Sequence, residues 1–169
     1  NEIEYDEIDE KPTALFLIMP DEKTTYHGLV SLFIKQSYEY LIYKAQKYNN
    51  NHDVRLKIRL NYVLDEFSSL PTVRDFPAMI TAARSRNIRF NIVIQSKHQL
   101  FLRYRDDTET ILSNCTNWIF LTSRELKFLE EISALCGKKV DREIESPVIS
   151  VSVLQRFNKE RGEVLILSR

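Results

Sequence analysis

Two rhythms of apolar and polar positions alternate along the chain. Five short apolar runs have strand character: residues 14–19 (ALFLIM), 60–64 (LNYVL), 90–94 (FNIVI), 118–121 (WIFL) and 164–167 (VLIL). They are continuous rather than alternating, as expected of strands covered on both faces of a parallel sheet. Residues 148–154 are a weaker sixth candidate with partial alternation. Helical spacing fills the intervals. Residues 25–48 carry an apolar stripe of Leu29, Val30, Phe33, Ile34, Tyr40 and Leu41. Asp75 is placed to cap a helix reaching about Asn87, buried through Phe76, Met79, Ile80 and Ala83. A further helix is predicted over 97–104. Asp106 to Glu109 has capping-box spacing before Ile111 and Leu112, with Asp in place of the usual Ser or Thr. Ser123 opens a helix carrying Leu126, Leu129, Ile132 and Leu135, and Gly137 suits its end. Residues 49–51 read as a polar turn and 142–147 as an exposed loop. Strands alternating with helices predict an α/β layered fold with a mostly parallel sheet.

Composition narrows the class. A chain of 169 residues, 43% of them hydrophobic, can bury the core of one domain. Lys plus Arg and Asp plus Glu number 24 each, so a wholesale polyanion binder is not expected, though a local basic face is. Cys115 and Cys136 have no histidine at metal-ligand spacing and read as reduced thiols. No apolar run approaches the roughly 20 residues of a membrane-spanning helix. The chain begins at Asn1, and its first ten residues hold six acids, which reads as a linker within a longer protein.

The chemistry concentrates where the second apolar run ends. Asp65 and Glu66 follow LNYVL directly, at the carboxyl end of a predicted strand, where ligands sit in open parallel sheets. Apolar residues running into Asp-Glu have the Walker B form of nucleotide-hydrolysing ATPases. The first acid can hold Mg²⁺ through its hydration shell, because Mg²⁺ prefers oxygen ligands and keeps waters. The second, one residue on, can orient or deprotonate an attacking water. A solvated strand end explains the same residues more plainly. Gln95 ends the next strand, where its amide can sense a γ-phosphate or fix the water. Arg84 ends the preceding helix, from which a guanidinium can project into a neighbouring subunit and stabilise phosphoryl-transfer charge. The plain readings are a loop contact for Gln95 and a solvated helix end for Arg84, Arg86 and Arg89.

Three segments taken together, KPTALFLIMPDEKTTYHGLVSLFIKQ, LNYVLDEFSSLPTVRDFPAMITAARSRNIRFNIVIQSKHQL and ILSNCTNWIFLTSRELKFLEEISALCGKK, resemble the coupling-protein family of type IV secretion and conjugation systems. The resemblance runs from Lys11 to Lys139 and more weakly to GEVLIL at the end. It implies a RecA-like P-loop ATPase of three layers, of which residues 12–169 are the second, Walker B half of the nucleotide-binding domain and residues 1–11 an acidic linker from an upstream helical domain. It implies a membrane-anchored, hexameric motor on the cytoplasmic face of the bacterial cytoplasmic membrane. Such a motor would use ATP and Mg²⁺ to drive DNA or relaxase-bound DNA toward secretion-channel proteins. By position, Asp65 is the Mg²⁺-associated acid, Glu66 the catalytic glutamate, Gln95 the sensor-like glutamine and Arg84 the subunit-bridging arginine. The family often has Gly after Asp-Glu-Phe, and Ser68 stands there instead.

The chain has no GxxxxGK[ST], and its three glycines, Gly28, Gly137 and Gly162, precede neither Lys-Ser nor Lys-Thr. Without a phosphate loop this segment alone is expected to hydrolyse no ATP. In the RecA-like order the phosphate-loop strand lies between the Gln95 strand and the Trp118 strand. Its absence makes the fold incomplete and leaves an edge to be closed, paired or covered. Lys97, Arg103 and Arg105, interleaved with Phe101 and Tyr104, are candidates for lining a nucleic-acid path, or else form an amphipathic helix with basic edges. His98 reads as a polar-face residue, His27 and His52 have no visible partners, and Trp118 belongs in the core. Two other classes stay open: a RecA-like module that docks cargo without nucleotide, and an unrelated α/β enzyme using Asp65 and Glu66 as metal ligands.

Overall fold

The computed structural model describes residues 8, 10–19, 26–48, 54–141 and 144–168. The chain divides into two compact units, residues 1–114 and 115–169. In the first, helix α1 (His27–Tyr48) precedes strand β1 (Leu60–Leu64), a short 3-10 turn (Phe67–Ser69), helix α2 (Phe76–Ala83), strand β2 (Ile88–Ile92), and helices α3 (Lys97–Tyr104) and α4 (Asp107–Asn114). The second holds β3 (Asn117–Phe120), α5 (Leu126–Leu135), β4 (Lys138–Asp141), β5 (Ile144–Pro147), α6 (Val151–Leu154), a 3-10 turn and β6 (Leu165–Ser168).

The expected α/β class is observed, but one mostly parallel sheet is not. The described strands form three two-stranded ribbons: β1 with β2 in parallel, β3 with β6 antiparallel, and β4 with β5 antiparallel. The physical reason lies at β2. Within the described residues it pairs only with β1. Among the described residues no further strand closes the edge that the resemblance implies.

Four further expectations are overturned. Residues 14–19 form no strand; Phe16 and Ile18 are 81% and 91% exposed, and this run pairs with no neighbouring ladder. Residues 151–154 of the weak sixth candidate are a helix, and the predicted loop instead contributes β5, the return of a hairpin. Asp75 does not cap α2: its backbone is left-handed (φ 59°), and its carboxylate is drawn to Lys35 Nζ at 2.9 Å. The predicted turn at 49–51 and His52 lie outside the described residues.

Aromatic rings organise the core of the first unit. Phe67 packs on Phe76 at 4.6 Å and stacks on Tyr104 at 5.5 Å, while Phe76 meets Phe90 edge-on at 5.0 Å. Helix α1 faces this core with Ile34, Tyr38, Leu41 and Ala45, a helical i, i+4, i+7, i+11 stripe. The stripe is rotated from the predicted one, so that Leu29 and Tyr40 are exposed. Polar contacts fix α1 in place. Ser31 Oγ donates to the Pro71 carbonyl at 2.8 Å, and Ser37 Oγ shares a hydrogen bond with Tyr62 Oη at 2.9 Å.

The second unit has its own core of Phe120, Leu129, Ile132 and Leu154, with Trp118 and Cys136 packed against it. Trp118 Nε1 donates to the Cys115 carbonyl at 2.8 Å. Helix α5 ends as expected at Gly137, whose φ of +80° favours glycine. Both cysteines are free, and burial pushes each thiol up from its ordinary value.

Candidate functional site: the carboxyl ends of two parallel strands

Strand register decides which side chains meet. Leu60 pairs with Ile88 and Leu64 with Ile92, so the residues following both strands emerge at the same end of the ribbon. The pairing continues past the strand ends: Val93 N–H donates to the Leu64 carbonyl at 2.9 Å, and Phe67 N–H donates to the Val93 carbonyl at 3.0 Å. The backbone of the β2 tail is thereby tied to both sides of the Asp65–Glu66 pair.

The local geometry of that pair is unusual. Glu66 is left-handed (φ 48°, ψ 39°), a conformation uncommon for a residue with a side chain. Its N–H donates to Asp65 Oδ1 at 3.0 Å, and its carbonyl accepts from Ser69 N–H at 2.7 Å. Ser68, where the family often has glycine, is buried in the 3-10 turn and does not have a positive φ. The left-handed residue of this turn is Glu66 itself.

Gln95 completes the site. Its Nε2 donates to Glu66 Oε1 at 2.8 Å, so the amide and the second acid are in direct contact. Asp65, Glu66 and Gln95 are all exposed to solvent. Asp65 Oδ1 is engaged by the Glu66 amide, and its second oxygen points to no partner among the described residues. One exposed carboxylate on a strand end suits Mg²⁺, which is held by few protein ligands and keeps several waters. Among the described residues no three His, Cys, Asp or Glu side chains gather into a metal site.

Of the other sequence candidates, Arg103 reaches the same turn while Arg84 stands apart. Arg84 follows α2 as its exposed C-cap and precedes β2. It therefore stands at the opposite end of that strand from Gln95. Arg103 Nε donates to the Ser68 carbonyl at 3.3 Å. Arg105 has positive φ (51°) and its N–H closes α3 on the Phe101 carbonyl. Lys97 begins α3 and is half-buried. Tyr104, one of the aromatics interleaved with the basic residues of the nucleic-acid path considered above, is instead a core residue, 5% exposed. Its hydroxyl accepts from Val73 N–H at 3.1 Å, and burial pushes its titration up to about 12. His98 is exposed near the start of α3, as expected.

Sequence reasoning missed the supporting residues Ser96 and Gln99. Ser96 Oγ accepts from His98 N–H at 3.1 Å and caps α3, and Ser68 Oγ donates to Gln99 Oε1 at 3.3 Å. A serine immediately before a helix was a readable cap signal. The Gln99 contact, 31 residues apart in sequence, left none.

Residues 59–159 match the family model described as the TraM recognition site of TraD and TraG. Among curated proteins none matches the chain. The unbound monoclinic form of the bacterial conjugative coupling protein TrwBdeltaN70 is similar at 18% identity and TM-score 0.64, over 79% of this chain and 32% of that one. The plasmid coupling protein TrwB in complex with ADP and Mg²⁺ is similar at 24% identity and TM-score 0.55, over 60% of this chain and 26% of that one. TrwB in complex with the non-hydrolysable GTP analogue GDPNP gives 24% identity and TM-score 0.54 over the same shares. The chain thus spans a minor part of the solved structures it resembles, and at these identities the likeness is one of fold. Among the described residues no helix is long and apolar enough to cross a membrane.

Proposed function

The chain belongs to the coupling-protein family of type IV secretion, in the region described as the TraM recognition site of TraD and TraG, and on that premise we propose that it is the Walker B part of an ATP-driven DNA translocase. In this reading residues 12–169 are the second half of a RecA-like nucleotide-binding domain, residues 1–11 an acidic linker, and the full-length protein a membrane-anchored hexamer feeding DNA or relaxase-bound DNA to a secretion channel. The observation that carries it is the contact of Gln95 with Glu66 at 2.8 Å beside Asp65, at one end of a parallel ribbon.

Each residue has a distinct task. Asp65 offers its outward oxygen to the hydration shell of Mg²⁺, which when bound would neutralise charge on the phosphates. Glu66 orients the attacking water and takes its proton. Gln95 holds the Glu66 carboxylate and presents a second N–H to the phosphate side. Arg84, remote from this cluster, acts on the site of a neighbouring subunit, where a guanidinium stabilises transition-state charge.

The test is ATP hydrolysis by the full-length protein with and without DNA. Glu66→Gln should lower kcat by about 10²–10⁴-fold, as expected for loss of a general base. Retention of full turnover would sink the motor reading. A second reading, a nucleotide-independent cargo-docking module, draws support from the TraM recognition site named by the matched family. Binding of a TraM-type protein, undiminished by Glu66→Gln and without any hydrolysis by the full-length protein, would favour it.

A further inference from the structure

One helix holds the carboxylate turn from both of its ends. Just before α3 begins, Gln95 grips the Glu66 carboxylate, and Ser96 anchors the helix start. From its last turn, Arg103 Nε donates to the Ser68 carbonyl at 3.3 Å, and Gln99, one turn earlier, accepts from Ser68 Oγ. Ser68 is buried and lies within the same turn as Glu66, whose left-handed backbone needs neighbours to hold it there. Phe67, between them, is clamped by the ring of Tyr104 from the end of the same helix. An eight-residue helix is a rod of about 12 Å, so its two grips on the turn move together.

We infer that Arg103 is a positioning residue for Glu66, acting through the Ser68 carbonyl, and that α3 is the lever setting the carboxylate's place. This rests on the reading of Glu66 as the catalytic base. It also gives Arg103 a task beyond the nucleic-acid contact weighed from the sequence, since its Nε donor is engaged by a backbone carbonyl of this turn. A shift of α3 withdraws the Gln95 and Arg103 contacts at once and moves the base away from its water. Displacements near 1 Å are enough to cost about a hundredfold in rate.

Two measurements test this. In the chain itself, free of nucleotide, Arg103→Ala should move the ¹H–¹⁵N resonances of the Gln95 side-chain amide and of the Glu66 to Ser69 backbone, with Arg103→Lys moving them less. Unchanged resonances overturn the inference. In the full-length protein, Arg103→Ala should lower kcat about ten- to hundredfold with KM for ATP nearly unchanged, as displacement of a positioned group predicts. The salt dependence of DNA binding should be unaltered. A salt slope reduced by about one with kcat retained marks Arg103 as a phosphate contact and overturns the inference. If Glu66→Gln retains full turnover, the catalytic reading fails instead, and the resonance result is left as it stands.

Discussion

At the residue scale, two side chains with displaced titrations give checkable consequences. The hydrogen bond from Lys35 holds the Asp75 carboxyl below its ordinary value. The unfolded chain therefore binds that proton more tightly. The contribution of the pair is present above the ordinary aspartate value and is lost as pH falls through the lower native one. The unfolding midpoint should fall more steeply with acid in the wild type than in Asp75→Asn, as followed by circular dichroism; equal slopes would contradict it. Tyr104 behaves in the opposite sense. Burial raises its titration to about 12, so its contribution holds below the ordinary tyrosine value and is lost as pH climbs through the native one. Tyr104→Phe keeps the ring but leaves the Val73 N–H without its acceptor. Denaturant unfolding should show a loss of about 1–3 kcal/mol, the cost of an unsatisfied buried donor. The sequence set Tyr104 among the aromatics of a nucleic-acid path because alternation with arginines cannot reveal which side of a short helix is covered. The acids and Gln95 were legible for a simpler reason: strand ends next to polar residues are fixed by local pattern.

Elements were legible where local signals agreed with tertiary ones. Strand β1 and helix α3 have the predicted bounds, since an apolar run closed by acids and a helix closed by aromatic anchors allow few alternatives. Strand β2 begins two residues before the predicted run, because Ile88 is already buried in register with Leu60. Residues 14–19 misled because apolar content alone shows strand capacity, whereas a strand also needs a partner ladder. The turn at Asp75 misled because a nearby lysine competed for the carboxylate that a cap would have used. Ser96 gives the sharpest test at this scale. Ser96→Ala removes the side-chain acceptor of the His98 N–H at the α3 start and should destabilise the first unit by about 1 kcal/mol. An unchanged denaturation midpoint would show that the cap is dispensable.

For the molecule as a whole, each unit carries its own apolar centre, and the single tryptophan lies in the second. Leu129 is 1% exposed in that centre. Leu129→Ala should lower the stability reported by Trp118 fluorescence by about 2–5 kcal/mol, the range for emptying a leucine site in a packed core. An unmoved fluorescence transition would place the stabilising contacts of this unit elsewhere. Whole-molecule arrangement was the least legible level, because strand order depends on pairings among distant segments that no local pattern encodes. Among the described residues β2 pairs along one side only, and that one-sided ladder leaves a signature of its own. Along a strand, successive amides point to opposite sides, so in Ile88–Ile92 every second proton is shielded by β1 while its neighbours trade freely with deuterated solvent. That two-beat labelling pattern would even out as soon as another backbone came alongside, turning five amides into a direct gauge of whether the sheet has been completed.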